Sequence, residues 1–181
     1  MKKLTLLLAV LLFAGVAETN AQSVKFGHIN TQEVIVLTAD YDSARVRINA
    51  YSKDLQEEME TMYTEYTNKV NTFQQKQATW TEAIRAAKET ELQELQQRLA
   101  QFQQTAEQDI AQFQQNQMLP IFEKAKAAVE KIAKEKNLLF VFELSANPVA
   151  YFNEQQSVNL LPLVKAELGV PAEKVAPTII Q

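Results

Sequence analysis

Between positions 48 and 113 the apolar residues recur at steps of three and four, and the second half of the series mirrors the first. The outgoing set is Ile48, Tyr51, Leu55, Met59, Met62, Tyr66, Val70 and Phe73. The returning set is Leu92, Leu95, Leu99, Phe102, Ala106, Ile110 and Phe113. Such steps trace one stripe along an α-helix. Paired from opposite ends, Ile48 with Phe113, Tyr51 with Ile110, Leu55 with Ala106, Met59 with Phe102, Met62 with Leu99 and Tyr66 with Leu95 give residue numbers that always total 161. A fold-back at Thr79-Trp80-Thr81-Glu82 sets every pair at one level. The pattern therefore predicts an antiparallel helical hairpin over residues 43–117 with its tip at 79–82. Thr79 and Glu82 stand at capping-box spacing for the return helix. The alternative is one continuous helix in a parallel coiled coil. Its stripe would have to run through the tip, where Gln77, Trp80, Ile84 and Ala87 blur the phase. Met62 to Phe73 and Phe102 to Phe113 each cover eleven residues in three turns, a period that slackens or reverses a left-handed supercoil.

Glycine usage supports long helices. The chain has three glycines, and only Gly27 and Gly169 lie beyond the first twenty residues. The arm from residue 50 to 80 would reach about 45 Å at 1.5 Å per residue. Its seam is one side chain wide, and its other faces carry Gln, Glu, Lys and Thr, so it has no globular core of its own.

Strands frame the hairpin. SVKFGHIN, residues 23–30, alternates Val24, Phe26 and His28 on one face with Lys25, Gly27 and Ile29 on the other. Asn30 then caps a short helix, with Glu33 at capping-box spacing, and Asp40 or Asp42 caps the first arm helix. Pro120 interrupts and bends the return helix. Lys131, Lys134 and Lys136 suit its C-terminus. In NLLFVFELSANPVAYF, residues 137–152, Leu138, Phe140, Phe142 and Leu144 face one way, Leu139 and Val141 the other. Ser145 to Pro148 makes a turn, and Val149 to Phe152 forms a second strand. In VNLLPLVKAELG, Asn159 caps a closing helix with Pro162 in its first turn, and Gly169 stops it. Residues 170–181 read as a flexible tail.

The fold class is thus α+β, mostly α: a long hairpin arm, 43–117, on a small β-containing body made of residues 22–42 and 118–169. Three short strands, 24–29, 138–144 and 149–152, leave open edges that invite pairing. Apolar residues on both faces ask for more cover than two modest helices give. Self-association supplies it, with Val24, Phe26, Ile29, Leu139, Val141, Leu144, Val149 and Tyr151 lining the shared body. Each fully buried Leu, Val or Phe contributes about 1.5–3 kcal/mol, so half a dozen per copy can hold an oligomer.

The N-terminus reads as a secretory signal peptide, residues 1–21. Lys2 and Lys3 precede an apolar run from Leu4 to Val16, and Thr19 and Ala21 suit cleavage before Gln22. The run is too short to span a bilayer comfortably, so no stable membrane insertion is expected. Without residues 1–21 the formal charge is −5, which argues against nucleic acid as a partner. Cysteine is absent, which excludes disulfides and thioether lipid attachment.

Nothing marks an enzyme. There is no P-loop, nucleophile motif or metal cluster, and no cofactor is expected. His28, the single histidine, is read as structural. The candidates for function are apolar residues off the seam: Tyr63, Trp80 and Ile84 have no mirror partner. Together with Phe73 they are candidates for client contact; the alternative is that they pack the tip or are partly buried against Phe73.

The ends of the chain, KFGHINTQEVI and NLLFVFELSANPVAYFNE followed by NLLPLVKAELG, resemble the Skp/OmpH family of periplasmic chaperones. The resemblance covers the chain from the first strand to the closing helix. It implies a homotrimer whose strands build a small barrel, with the arms hanging around a cavity. It also implies an ATP-independent periplasmic holdase for unfolded outer-membrane β-barrel proteins. The best-known members are strongly basic. Here residues 53–68 set Lys53 against Asp54, Glu57, Glu58, Glu60 and Glu65, so electrostatic capture is confined to the tip, where Lys69, Lys76, Arg85, Lys88 and Arg98 slightly outnumber Glu82, Glu89, Glu91 and Glu94. The lipopolysaccharide site proposed for some relatives cannot be carried over residue by residue. A structural scaffold of the cell envelope, with the arms as spacers, is the alternative function.

Overall fold

The computed structural model describes residues 24–146 and 149–176. The signal-peptide reading, Pro148 and the last five residues lie outside them. Strand β1, Phe26–Ile29, leads into the short helix α1, Thr31–Ile35. Helix α2, Ala39–Lys76, runs outward for 38 residues, and a single 3-10 turn, Gln77–Thr79, reverses the chain. Helix α3, Glu82–Glu135, returns over 54 residues. Strand β2, Phe140–Glu143, strand β3, Val158–Asn159, and helix α4, Leu161–Glu167, complete the chain.

The hairpin forms as the mirror pattern requires. Every stripe residue from Ile48 to Phe73 is half-buried, and so are those from Leu92 to Phe113, except that Leu95 and Ala106 are fully buried. Arg47 Nε donates to Gln117 Oε1 at 2.6 Å near the base, and Lys69 pairs with Glu91 near the tip. These contacts between α2 and α3 exclude the single continuous helix.

Capping differs from the sequence reading in detail. Asn30 Oδ1 accepts from Glu33 N at 3.3 Å, as expected. Thr38, not Asp40 or Asp42, caps α2: its Oγ1 accepts from Tyr41 N and donates to the Ile35 carbonyl. Both aspartates sit in the first turn, where they complement the helix dipole. Thr81, not Thr79, caps α3, because the chain turns two residues later than the spacing of Thr79 and Glu82 implies. Thr79 Oγ1 instead donates to the Lys76 carbonyl. Helix α3 also runs unbroken through Pro120. Pro120 and Asn116, whose carbonyl loses its usual i+4 donor there, are both exposed, so water can satisfy that carbonyl.

Helix α3 ends on Asn137 at φ +53. Leu138 N donates to Ala133 O and Asn137 N to Lys134 O, which closes a Schellman motif. The turn carries Leu138 into the core rather than onto the Phe140 face. Helix α4 ends the same way on Gly169 at φ +69, with Val170 N bonded to Lys165 O.

The sheet has the order β2-β1-β3, with both outer strands parallel to β1. This corrects the expected hairpin: Val149–Phe152 is not a strand, and β2 pairs only with β1. After Glu143 the chain leaves the sheet and returns on the far side of β1. There Val158 and Leu160 reach the core, with Leu160 fully buried. Glu143 fixes the departure. Its carboxylate accepts from Thr31 N at the start of α1, from the Thr31 hydroxyl and from Ser145 N. Asn159 likewise belongs to β3, and its side chain accepts from Leu161 N to start α4.

One sheet face is covered by helices. Ile29, Val34, Ala128, Ile132, Leu160 and Val164 form the main core, with Val141 and Leu138 packed against it. A second cluster, Ile35, Ala44, Ile121 and Ala125, joins the roots of both arm helices to α1. Gly27 is needed for this close approach: a Cβ there would lie 2.4 Å from Leu160 Cδ1 and 3.0 Å from the Val158 carbonyl oxygen. The tail reading is also corrected. Val170 is buried, and residues 172 and 174 are bonded to the body, so this part of the tail is anchored.

Candidate functional site

Two regions carry exposed apolar chemistry: the arm and the outer face of the sheet. At the tip, Trp80 packs edge-on against Phe73 with ring centroids 5.7 Å apart. This pair closes the hairpin end, since the 3-10 turn and Thr81 bring Trp80 back over α2. Tyr63 and Ile84 behave differently. They project from the seam and are 62% and 46% exposed. The four residues singled out from the sequence therefore divide into a packed pair and two free ones.

Below the tip, Lys69 lies between Glu91 of the facing helix and Glu65 of its own, and Lys88 also donates to Glu91 at 2.7 Å. The hydrogen bond from Lys69, then that from Lys88, pulls the Glu91 carboxyl down to about 2, and the Glu91 bond raises the Lys69 pKa. Arg85 pairs with Glu82. Among the described residues these contacts engage three of the five basic groups near the tip. Lys76 and Arg98 remain outside any ion pair there, so the cationic surplus is small. Further down, Met62 and Phe102 line an open groove together with Arg98, Gln97 and Gln101. The mirror series assigned Met62 and Phe102 to the seam alone. Their outer edges also reach solvent, which a one-sided stripe does not reveal.

The outer sheet face is more strongly apolar. Phe26 meets Phe142 edge-on at 5.9 Å, and Phe140 beside them is 60% exposed. The register Phe26 with Phe140 and His28 with Phe142 places all four on one face. His28 packs against Phe152 with ring centroids 4.9 Å apart and planes inclined by 45°, and its Nδ1 shares a 2.8 Å hydrogen bond with Ser157 Oγ. The histidine thus holds the loop after β2 onto the sheet. Val24, Leu139 and Tyr151 are also exposed. Ile29 and Val141 instead point into the chain's own core, and Leu144 and Val149 are half-buried. Phe140 and Phe142 were not among the body residues chosen from the sequence. Their alternation with Val141 was the available signal.

Among the described residues no cluster of His, Asp or Glu is arranged to hold a metal. None of their helices is long and apolar enough to cross a membrane.

Comparison with known proteins agrees with this architecture. No curated protein matches the chain. A solved structure from Caulobacter crescentus CB15, of a candidate outer membrane chaperone (OmpH-like), superposes with a TM-score of 0.69 at 10% identity. The match covers 87% of this chain and 94% of that one. At that identity the likeness establishes the fold. Residues 25–168 match the family described as outer membrane protein (OmpH-like). That match spans both strand-forming ends and the whole hairpin, and the chain belongs to the OmpH-like family.

Proposed function

We propose that this protein is an ATP-independent holdase of the periplasm. It keeps unfolded outer-membrane β-barrel proteins apart in a cavity between the helical arms of a homotrimer. The observation that carries this reading is an arm whose seam is complete yet which still displays Tyr63 and Ile84 to solvent. Such residues offer weak apolar contacts along the limb, above the open groove at Met62 and Phe102. The fold shared with an OmpH-like chaperone candidate supports the same reading.

The trimer rests on the outer sheet face. Phe26, Phe140 and Phe142 lie together on one sheet face, with Phe140 exposed, and exposed apolar side chains so grouped mark an association surface. The open edges of β2 and β3 flank it. Export to the periplasm follows from the signal-peptide reading of residues 1–21. Release without nucleotide is driven by the client's own folding, which removes the unfolded form from the binding equilibrium.

Mixing the protein with a urea-unfolded outer-membrane β-barrel protein on dilution tests the reading. Light scattering should stay near the buffer baseline at stoichiometric protein. Scattering that rises as fast as in the protein's absence overturns the holdase.

A further inference from the structure

The segment after α4 lies beyond the family match, which ends at residue 168. It is nevertheless built into the root of the arm. Gly169 turns the chain in the left-handed region and Val170 is buried. Lys165 is 8% exposed, and its Nζ donates to the carbonyls of Ala172 at 2.8 Å and Lys174 at 2.6 Å. Lys174 Nζ in turn donates to the Leu37 carbonyl at 2.8 Å and lies 3.5 Å from Asp42 Oδ2. Leu37 and Thr38 are the two buried residues at the corner between α1 and α2, immediately before the arm begins. Leu168 packs against the cluster that joins Ala44 of α2 to Ile121 and Ala125 of α3.

We propose that residues 169–174 are a strap that sets the angle at which the arm leaves the body. Two lysines act in series. Lys165 holds the strap to α4 through its backbone carbonyls, and Lys174 holds the strap to the corner of the arm. The bond to a main-chain carbonyl at the corner makes the strap a reporter of backbone position there rather than of side-chain charge. The geometry amplifies its effect. From Thr38 to Thr79 the arm is about 60 Å long at 1.5 Å per residue, so a root rotation of about 10° moves the tip by about 10 Å. The Ile35, Ala44, Ile121 and Ala125 cluster holds the inner side of the corner, and Leu168 and the strap add restraint from α4, while Asp40 and Asp42 are exposed and Lys124 meets Asp40 on the surface. On the trimeric holdase reading, on which this consequence rests, the strap governs how far the arms open and with them the size of client the cavity admits.

The chain lacks cysteine, so labels can be placed at will. Spin labels at Thr79→Cys on the tip and Gln155→Cys in the body, in doubly labelled chains diluted into unlabelled protein, report the tip position by electron–electron resonance. Lys174→Met should widen the distance distribution, while Lys174→Arg, which keeps a donor, should retain the parent width. A Lys174→Met distribution that overlays the parent overturns the strap, and so does a Lys174→Arg distribution as wide as that of Lys174→Met. Helix content by circular dichroism checks folding. If Lys174→Met does not fold, a chain ending at Val170 replaces it under the same criterion.

Discussion

Tyr51 of α2 stacks on Phe113 of α3, with ring centroids 4.4 Å apart and planes inclined by 21°. The mirror series instead pairs Tyr51 with Ile110, three residues away. The offset has a direct cause. In both helices the Cα–Cβ bonds lean toward the N-terminus. In an antiparallel pair α2 side chains therefore lean toward the body and α3 side chains toward the tip. Rings that meet must come from Cα atoms that are not level. Three residues correspond to about 4.5 Å along the axis, within the reach of two aromatic side chains. The Arg47 and Gln117 bond is offset in the same sense.

Tyr51 and Phe113 should show direct coupling. In a double-mutant cycle with Tyr51→Ala and Phe113→Ala, urea denaturation should give an interaction energy of about 0.5–1.5 kcal/mol. An additive double mutant would mean that the stacking contributes nothing beyond burial.

Asn137 should be a measurable stop signal. Its φ of +53 costs a residue with an ordinary side chain about 1–2 kcal/mol. Asn137→Ala should lower stability by about that amount, and Asn137→Gly should not. Equal denaturation midpoints for the two variants would remove the αL explanation.

Gly27→Ala should disturb the body. The added methyl meets the Leu160 side chain and the Val158 carbonyl inside ordinary contact distance, so overpacking of about 1–3 kcal/mol is expected. Calorimetry should show a lower midpoint, whereas a midpoint unchanged from the parent would place Leu160 elsewhere.

Glu91 should titrate well below an ordinary glutamate. Its carboxyl is held near 2 by Lys69 and Lys88. A folded-state pKa below the unfolded one contributes stability that is complete above the usual carboxylate range and is lost as pH falls toward about 2. About a third of the Glu91 side chain is exposed, so added salt should weaken the effect. Carboxyl NMR titration should give a Glu91 midpoint below the ordinary glutamate value, and Lys88→Met should raise it. A Glu91 midpoint at the ordinary glutamate value would mean that the bridge is not populated.

The parts of the fold that depend on local pattern were legible. The hairpin, its tip region, the Asn30 cap and the Gly169 stop all follow from periodicity or from one residue's backbone preference. The errors share another origin. Thr38 competes with Asp40 and Asp42, and Thr81 with Thr79, among adjacent capping-competent residues, and the winner depends on where the chain must turn to pack. Val149–Phe152 has strand-like residues, but pairing is decided by which segment reaches the free edge of β1, and Val158 with Leu160 gains more burial there. The Lys174 bond to Leu37 spans 137 positions and leaves no local trace. At the candidate site, Trp80 and Phe73 were legible as apolar residues near the tip. Burial of Trp80 against Phe73 is one of the two readings the sequence leaves open; that Tyr63 and Ile84 stay exposed needed three dimensions.

The proposed trimer makes the sharpest demand, because Phe26, Phe140 and Phe142 lie on a sheet face that the described residues cover only in part, with Phe140 60% exposed. Sedimentation equilibrium of residues 22–181 at micromolar concentration measures it directly. The expected mass is three copies, falling to one in Phe140→Asp with helix content unchanged. A folded parent chain that sediments as a single copy would contradict the account.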